Sequence, residues 1–144
     1  MGNKNINILL VEDNPGDIRL TQEAFKESNL EAALYVAHDG EEAISFLTKK
    51  NRYRTMPTPD LILLDLNLPK KDGREVLKII KTDATLMQIP VVSLTTSKAE
   101  EDISRAYNLH ANSYITKPIS LEEFINVVQC IGKFWLKVAQ LPPK

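Results

Sequence analysis

Short apolar runs alternate with amphipathic stretches along the whole chain. Five runs have the length and apolar character of strands, at residues 6–11, 32–37, 61–64, 91–94 and 113–116. Apolar positions at helical spacing predict helices that begin near residue 15 and after residue 40, and two more over 98–109 and about 120–139. Between them, Val76, Leu77 and Ile80 mark another helix. This alternation predicts an α/β fold with a doubly wound, five-stranded parallel sheet and helices on both faces.

One stretch interrupts the alternation. Residues 49–59, KKNRYRTMPTP, are basic, contain two prolines and are long for a connection between a helix and a strand. We interpret this stretch as a solvated surface loop. The alternative is a loop that docks a partner, with Tyr53 as its anchor.

Length and composition exclude several classes of protein. The 144 residues fit one domain over 1–144, with no second effector domain, and a net charge of −1 provides no bulk field for binding nucleic acid. No apolar stretch is long enough to span a bilayer. The single cysteine, Cys130, forms no internal disulfide, which favours a reducing, cytoplasmic location, and we expect it to be a small core residue of the last helix.

Acidic residues follow two of the predicted strands. Glu12 and Asp13 come after the first strand, and Asp65 comes after the third. Chemistry in an open parallel sheet gathers at the carboxyl ends of the strands, where the strand order reverses. Three neighbouring carboxylates repel one another, so protons or a hard divalent cation must offset them, and Mg²⁺ is the economical choice. Asp13 taken alone is equally well explained as a helix cap.

The fourth and fifth strands end in groups that complement these acids. Thr95 offers a hydroxyl and Lys117 a positive charge. A carboxylate nucleophile, a metal, a lysine and a hydroxyl can together hold the oxygens of a phosphoryl group. The two histidines, His38 and His110, lie away from the acids and are predicted to be structural or surface residues. The sequence has no Cys/His zinc pattern, no P-loop and no GxGxxG motif.

The set Glu12-Asp13, Asp65, Thr95 and Lys117-Pro118 resembles the receiver domain of two-component response regulators. The resemblance covers nearly the whole chain and implies the flavodoxin-like strand order 2-1-3-4-5. It also implies that Asp65 accepts a phosphoryl group from the phosphohistidine of a histidine kinase. The protein would then be a phosphoacceptor rather than an enzyme.

The resemblance implies roles for further residues. Asp13, Asp65 and the backbone carbonyl of Asn67 would bind Mg²⁺ directly, and Glu12 would bind it through water. Lys117 would pair with the phosphoryl oxygens, and the Lys117–Pro118 bond would be cis, which is feasible mainly before proline. Thr95 and Tyr114 would form the switch pair. One departure is Thr96, which stands where receivers usually have alanine or glycine.

A narrower resemblance lies in LILLDLNLPKKDGREVL at 61–77 and FWLKVAQLP at 134–142. These stretches look like the small response regulators that partner cyanobacterial phytochromes, so the kinase would be a phytochrome-type light sensor. We expect no effector domain after residue 144, so the signal would leave through protein contact or a further phosphotransfer.

We also expect a homodimer that uses the last helix; the alternative is that the tail folds back on its own domain. Its apolar stripe is widened by Val127 and Phe134 beyond what one contact with the sheet requires. The stripe itself consists of Leu121, Phe124, Ile125, Val128, Ile131, Trp135 and Val138.

Two other functions are compatible with an aspartate nucleophile or with this fold. One is a Mg²⁺-dependent phosphatase that forms an aspartyl-phosphate, but such enzymes usually have a second acid two residues after the nucleophile, where this chain has Asn67. The other is an adaptor that works without phosphorylation, which the complete set of acids, hydroxyl and lysine disfavours.

Overall fold

The computed structural model describes residues 6–27, 32–96, 100–118, 120–135 and 141–142. The strands are β1 (Ile6–Val11), β2 (Ala32–Ala37), β3 (Leu61–Leu64), β4 (Val91–Thr95) and β5 (Ser113–Thr116). The helices are α1 (Pro15–Glu27), α2 (Gly40–Leu47), α3 (Gly73–Thr82), α4 (Glu100–Asn108) and α5 (Leu121–Lys133), with a short 3₁₀ helix at Asn51–Tyr53. The predicted alternation of strands and helices is confirmed.

The five strands form one parallel sheet in the order β2-β1-β3-β4-β5. This is the predicted order, with its reversal between β1 and β3. Val11 pairs with Leu64 at the carboxyl ends of these two strands. The residues that follow them, Glu12 and Asp65, therefore enter the same crevice.

The core has two parts, one on each face of the sheet. Side chains alternate between the faces, so Leu9 and Ile62 belong to the layer packed against α2 and α3, whereas Ile8 and Leu63 belong to the layer packed against α1 and α5. Every residue of β3 is buried. This two-sided burial explains why the central strands read as continuous apolar runs rather than as alternating ones.

The last helix differs from its prediction in two places. Phe124 and Val128 are buried as expected, but Leu121 is 54% exposed and Cys130 is exposed. At 3.6 residues per turn, Cys130 lies about 120° around the helix from Phe124, which turns it away from the sheet. The expectation that Cys130 is a core residue is wrong, and Val138 lies outside the described residues.

The basic stretch at 49–59 is a surface loop that packs against the core through Tyr53 and Met56. Tyr53 is partly buried, and its ring centroid lies 5.5 Å from that of Phe46. Lys49 and Asn51 have positive φ values of 57° and 53°, which turn the chain sharply on either side of Lys50. The ring of Tyr53 is therefore committed to its own domain instead of being free to anchor a partner.

Among the residues that the structure describes, no helix is long and apolar enough to cross a membrane.

Candidate functional site

Three carboxylates meet at the carboxyl ends of β1 and β3. Glu12, Asp13 and Asp65 each offer an oxygen, and these oxygens lie within 4.8 Å of one another. Glu12 and Asp65 are buried, with 3% and 7% of their surface exposed, whereas Asp13 is exposed. The cluster thus offers a metal ion two buried carboxylate ligands, Glu12 and Asp65, and one exposed carboxylate ligand, Asp13.

Lys117 reaches this cluster from the end of β5. Its Nζ donates to Glu12 Oε1 at 2.5 Å, to Asp17 Oδ2 at 2.8 Å and to Asp65 Oδ2 at 3.1 Å. Its backbone N–H donates to the carbonyl of Thr95 at 2.7 Å, which extends the pairing of β4 with β5 by one residue. The long side chain of Lys117 therefore connects the edge of the sheet to its centre.

The charges of the site shift two pKa values. Burial, together with the nearby charge of Asp65, raises the pKa of Glu12 to about 7, although Lys117 opposes the shift. Burial alone would lower the pKa of Lys117, but its hydrogen bonds with Asp17 and Glu12 and the charge of Asp65 outweigh burial and raise it. Lys117 is consequently a permanent cation beside four acidic side chains, counting Asp13.

Asp17 is a site residue that the sequence reasoning missed. It lies in the first turn of α1 and accepts a hydrogen bond from the Lys117 ammonium group. The available signal was position in the sequence: Asp17 closely follows Glu12 and Asp13 and falls in the first turn of the helix that begins at Pro15. Because the prediction considered only residues at strand ends, this helical acid was left out.

Asn67 joins the acid cluster to Thr95. Its backbone N–H donates to Asp65 Oδ1 at 2.9 Å, and its side-chain Nδ2 donates to Thr95 Oγ1 at 3.1 Å. Thr95 is fully buried at the end of β4. Asn67 thus links the hydroxyl of Thr95, through its side chain, to the carboxylate of Asp65, through its backbone.

Tyr114 lies on the neighbouring strand β5, but it is not directly opposite Thr95. It pairs with Ser93, whereas Thr95 pairs with Thr116. Tyr114 is partly buried against the α2/α3 layer of the core, and its backbone N–H donates to the hydroxyl of Tyr107 at 3.2 Å. The two members of the predicted switch pair are therefore neighbours across the sheet, two residues apart in register.

The Lys117–Pro118 peptide bond is trans, since the described residues contain no cis peptide bond. The expectation of a cis bond is wrong for this structure. Trans is the intrinsically preferred isomer of a bond before proline, by about 0.5–1 kcal/mol. Lys117 makes its three carboxylate contacts with the bond in this form.

The loop that carries Asp65 and Asn67 closes tightly on the start of α3. Gly73 donates its N–H to the Leu66 carbonyl at 3.1 Å, and a Cβ atom added to Gly73 would lie 2.5 Å from the carbonyl oxygen of Asp65. A Cβ at Gly40, the first residue of α2, would lie 2.0 Å from the carbonyl oxygen of Lys71. Two glycines therefore allow the loop to pass close to two helix starts.

The histidines lie apart from the site, as predicted. His38 is exposed, with its Nδ1 3.4 Å from Glu42 Oε1, and His110 is exposed in a turn with a φ of 72°. Neither belongs to the acid cluster.

The response regulator receiver domain model matches residues 8–129. The chain belongs to this family. It is 50% identical over 135 residues to the response regulator Rcp1 of Synechocystis sp., an alignment that covers 94% of this chain and 92% of Rcp1.

Solved structures of cyanobacterial regulators resemble the whole receiver. The phosphorylated cyanobacterial phytochrome response regulator RcpA superposes with a TM-score of 0.94 and 51% identity, covering 97% of this chain and 100% of RcpA. The Mn²⁺-bound form of Rcp1 superposes with a TM-score of 0.92 and 49% identity, covering 96% of this chain and 99% of that structure. Both the receiver resemblance and the narrower phytochrome-regulator resemblance are confirmed.

Membership of the receiver family indicates the general function of the acid cluster. Receiver domains bind a divalent metal and are generally phosphoacceptors rather than enzymes, and the relation to phytochrome response regulators implies a histidine kinase as partner. The protein is thus a receiver of two-component signalling whose acidic cluster lies at the expected end of the sheet.

Proposed function

We propose that Asp65 accepts a phosphoryl group from the phosphohistidine of a phytochrome-type histidine kinase. The observation that carries the proposal is the contact of the Lys117 ammonium group with Asp65 inside the acid cluster. This lysine places a fixed positive charge where phosphoryl oxygens would arrive. The relation to RcpA, a phytochrome response regulator, supports a light-sensing kinase as the donor.

The transfer itself requires little covalent chemistry from the protein. A carboxylate oxygen of Asp65 attacks phosphorus while the bond between phosphorus and the kinase imidazole nitrogen breaks. The imidazole carries a proton on its other ring nitrogen before the transfer, so it leaves as a neutral imidazole and an aspartyl-phosphate remains. Lys117 exchanges part of its contact with Glu12 and Asp65 for the incoming oxygens. Asn67 holds Asp65 in place through its backbone N–H.

The donor set fits Mg²⁺. Glu12, Asp13, Asp17 and Asp65 oppose the single positive charge of Lys117, so the fully ionised set carries three excess negative charges. A hard divalent cation prefers such oxygen ligands and usually retains several waters. We propose that Asp13, Asp65 and the Asn67 carbonyl hold Mg²⁺ directly and that Glu12 does so through water. When bound, the ion would offset the charge of the phosphoryl oxygens.

We propose Thr95 and Tyr114 as the residues that transmit phosphorylation. The Thr95 hydroxyl now accepts a hydrogen bond from Asn67 and would turn to donate to a phosphoryl oxygen, after which the ring of Tyr114 follows inward. Such a contact exists in only one of the two states, which is what allows it to shift their populations. Thr95→Ala should accept phosphate without changing partner affinity, whereas Thr95→Ser, which keeps the hydroxyl, should respond like wild type. Equal responses of all three proteins would contradict this role.

Phosphorylation at Asp65 is tested with Mg²⁺ and a small phosphodonor, followed by intact-protein mass measurement. Wild type and the charge-matched control Glu23→Gln, on the exposed face of α1, should gain one phosphoryl group, and Asp65→Asn should gain none. Full phosphorylation of Asp65→Asn would overturn the assignment. Continuous release of phosphate by wild type would indicate a phosphatase, and complete inertness would indicate an adaptor.

We also propose a cytoplasmic homodimer that pairs through α5 and the neighbouring face. Phe134 is 51% exposed, its ring stacks edge-to-face on Trp135 at 5.3 Å, and both line an apolar groove of about 640 Å³ between β5 and α5. Exposed apolar surface of this kind favours a partner. Sedimentation of wild type against the double variant Phe134→Ser, Trp135→Ser should show a dimer and a monomer. The same species for both proteins would show that this interface is wrong.

A further inference from the structure

The loop between α2 and β3 carries a concentrated, unneutralised positive charge. Four cations occur within six residues, all of them exposed: Lys49, Lys50, Arg52 and Arg54. Among the described residues none of these four forms an ion pair, although cations elsewhere, such as Lys70 and Arg74, do. On a chain of net charge −1, this loop is a local exception.

We propose that this basic loop, residues 49–54, is a docking surface for an acidic segment of a partner protein. Side-chain carboxylates match lysine and arginine in charge, and the arginine fork can hold a carboxylate through two parallel hydrogen bonds. Four cations without an ion pair among the described residues also favour a partner with several acids in succession, because each exposed ion pair contributes little by itself. This proposal does not depend on phosphorylation at Asp65.

The loop is held in shape before any partner arrives. The turns at Lys49 and Asn51 set its path, and Tyr53 attaches it to Phe46 in the core. Arg52 lies over the ring of Tyr53, 4.9 Å from its centroid, and donates to the Tyr53 hydroxyl at 2.7 Å. A loop that is ordered in advance loses less conformational entropy when it binds, which raises the affinity that its charges can provide.

The surroundings favour a polypeptide over a nucleic acid. Single-stranded nucleic acids bind through bases stacked on free aromatic rings, but the only aromatic residue of the loop, Tyr53, packs against Phe46 and Arg52. The chain just after the basic loop instead lines a cleft of about 360 Å³ with Thr58, Pro59 and Asp60, opposite Ile89 and Pro90. An apolar side chain flanking the acids of the partner segment could enter this cleft.

The loop lies at the opposite end of the sheet from Asp65. The loop precedes β3, whereas Asp65 follows β3. The four residues of β3, at about 3.3 Å each, separate the two ends of this strand by about 13 Å. A partner on the loop leaves the acid cluster open to the kinase. We therefore expect this contact to tether the receiver without requiring or blocking phosphorylation.

The test measures binding of a fluorescein-labelled polyglutamate peptide by anisotropy at several salt concentrations. The loop variant Lys49→Gln, Lys50→Gln, Arg54→Gln keeps the contact between Arg52 and Tyr53. The matched control, Arg19→Gln, Lys26→Gln, Lys78→Gln, removes the same charge from exposed helix positions. We expect the loop variant to bind about tenfold more weakly and with a shallower salt dependence, and the control to bind within about twofold of wild type.

Equal weakening in both variants would show a general charge effect and overturn the proposal, as would absence of binding to wild type. If oligouridylate binds the loop as tightly as polyglutamate does, the surface is a nucleic-acid site and the proposed partner is wrong. Thermal unfolding of both variants verifies that they fold. Should the triple variant unfold early, the double variant Lys50→Gln, Arg54→Gln, without a change at the strained Lys49 position, provides the same comparison.

Discussion

Gly73 offers a direct test of how closely the loop after β3, which carries Asp65, must pass the start of α3. In Gly73→Ala, the new Cβ would lie 2.5 Å from both the Asp65 carbonyl oxygen and Leu66 Cα. Carbon atoms in good contact are about 3.5–4.0 Å apart, so the overlap is about 1 Å. Both contacts are with backbone atoms, which cannot rotate out of the way, so the loop or the helix must move.

The expected loss of stability follows from two opposing effects. Overpacking a well-packed site costs about 1–3 kcal/mol. Alanine recovers up to about 1 kcal/mol of helix propensity over glycine, and less here because Gly73 is the first residue of α3. We therefore expect the free energy of unfolding to fall by about 2 kcal/mol, which lowers Tm by about 4–8 °C for a chain of this size.

Gly16→Ala is the matched control for this prediction. A Cβ at Gly16, in the first turn of α1, would meet only the side-chain oxygen of Asn14, at 3.2 Å. That oxygen accepts a hydrogen bond from the Asp17 backbone N–H and needs to shift by only a few tenths of an ångström. Its Tm should change by no more than about 2 °C.

Calorimetry of the two variants gives Tm, and Mg²⁺ titration reports on Asp65. We expect Gly73→Ala to bind Mg²⁺ more weakly, since a shift of Leu66 also displaces Asp65. A Gly73→Ala protein as stable as wild type would refute the packing argument. Lower stability with unchanged Mg²⁺ affinity would show that α3 moves instead of the loop.

Three further predictions concern the polar groups around the site. Asp13→Asn should weaken Mg²⁺ binding at least tenfold in calorimetric titration, and its Tm should be nearly unchanged because Asp13 is exposed. Asp17→Asn, which lies outside the acid cluster, should bind Mg²⁺ more nearly as wild type does. The reverse order of affinities would contradict the proposed ligands. Ser93→Ala should raise the free energy of unfolding by about 1 kcal/mol in urea titration, because the fully buried Ser93 hydroxyl has no hydrogen-bond partner among the described residues. A loss of stability would show that the hydroxyl does have a partner. Without divalent cations, the free energy of unfolding of wild type relative to that of Glu12→Gln should fall as pH rises from about 4.5 through 7. The reason is that the folded state, in which the pKa of Glu12 is about 7, binds the proton more tightly than the unfolded chain does. A difference in free energy of unfolding that stays constant with pH would refute this.

Much of the fold could be predicted because the relevant signals are local. Apolar runs and helical spacing identify β1 to β5 and the helices between them, since each element repeats its pattern within a few residues. The positions of Glu12 and Asp65 at the ends of β1 and β3 were also predictable. Parallel strands bring their carboxyl ends to the same edge of the sheet whatever the details of packing.

Other features depend on contacts between distant parts of the chain. Lys117 and Asp17 are separated by 100 residues, and their hydrogen bond exists because the strand order and the length of the lysine side chain bring them together. The close approach of Gly73 to Leu66 and the exposure of Cys130 depend in the same way on how a helix is rotated and placed against its neighbours. The hydrophobic periodicity within one helix does not specify how that helix is rotated against its neighbours.

The sequence by itself therefore determined the element order, the family resemblance and the main acid, hydroxyl and lysine residues. The tertiary structure decided which carboxylates share Lys117, that the bond before Pro118 is trans, and that Tyr53 packs into its own domain. The physical reason is the range of the interactions. Periodicity and strand-end position arise from neighbouring residues, whereas ion pairing, burial and close backbone approach arise only when separate elements pack together.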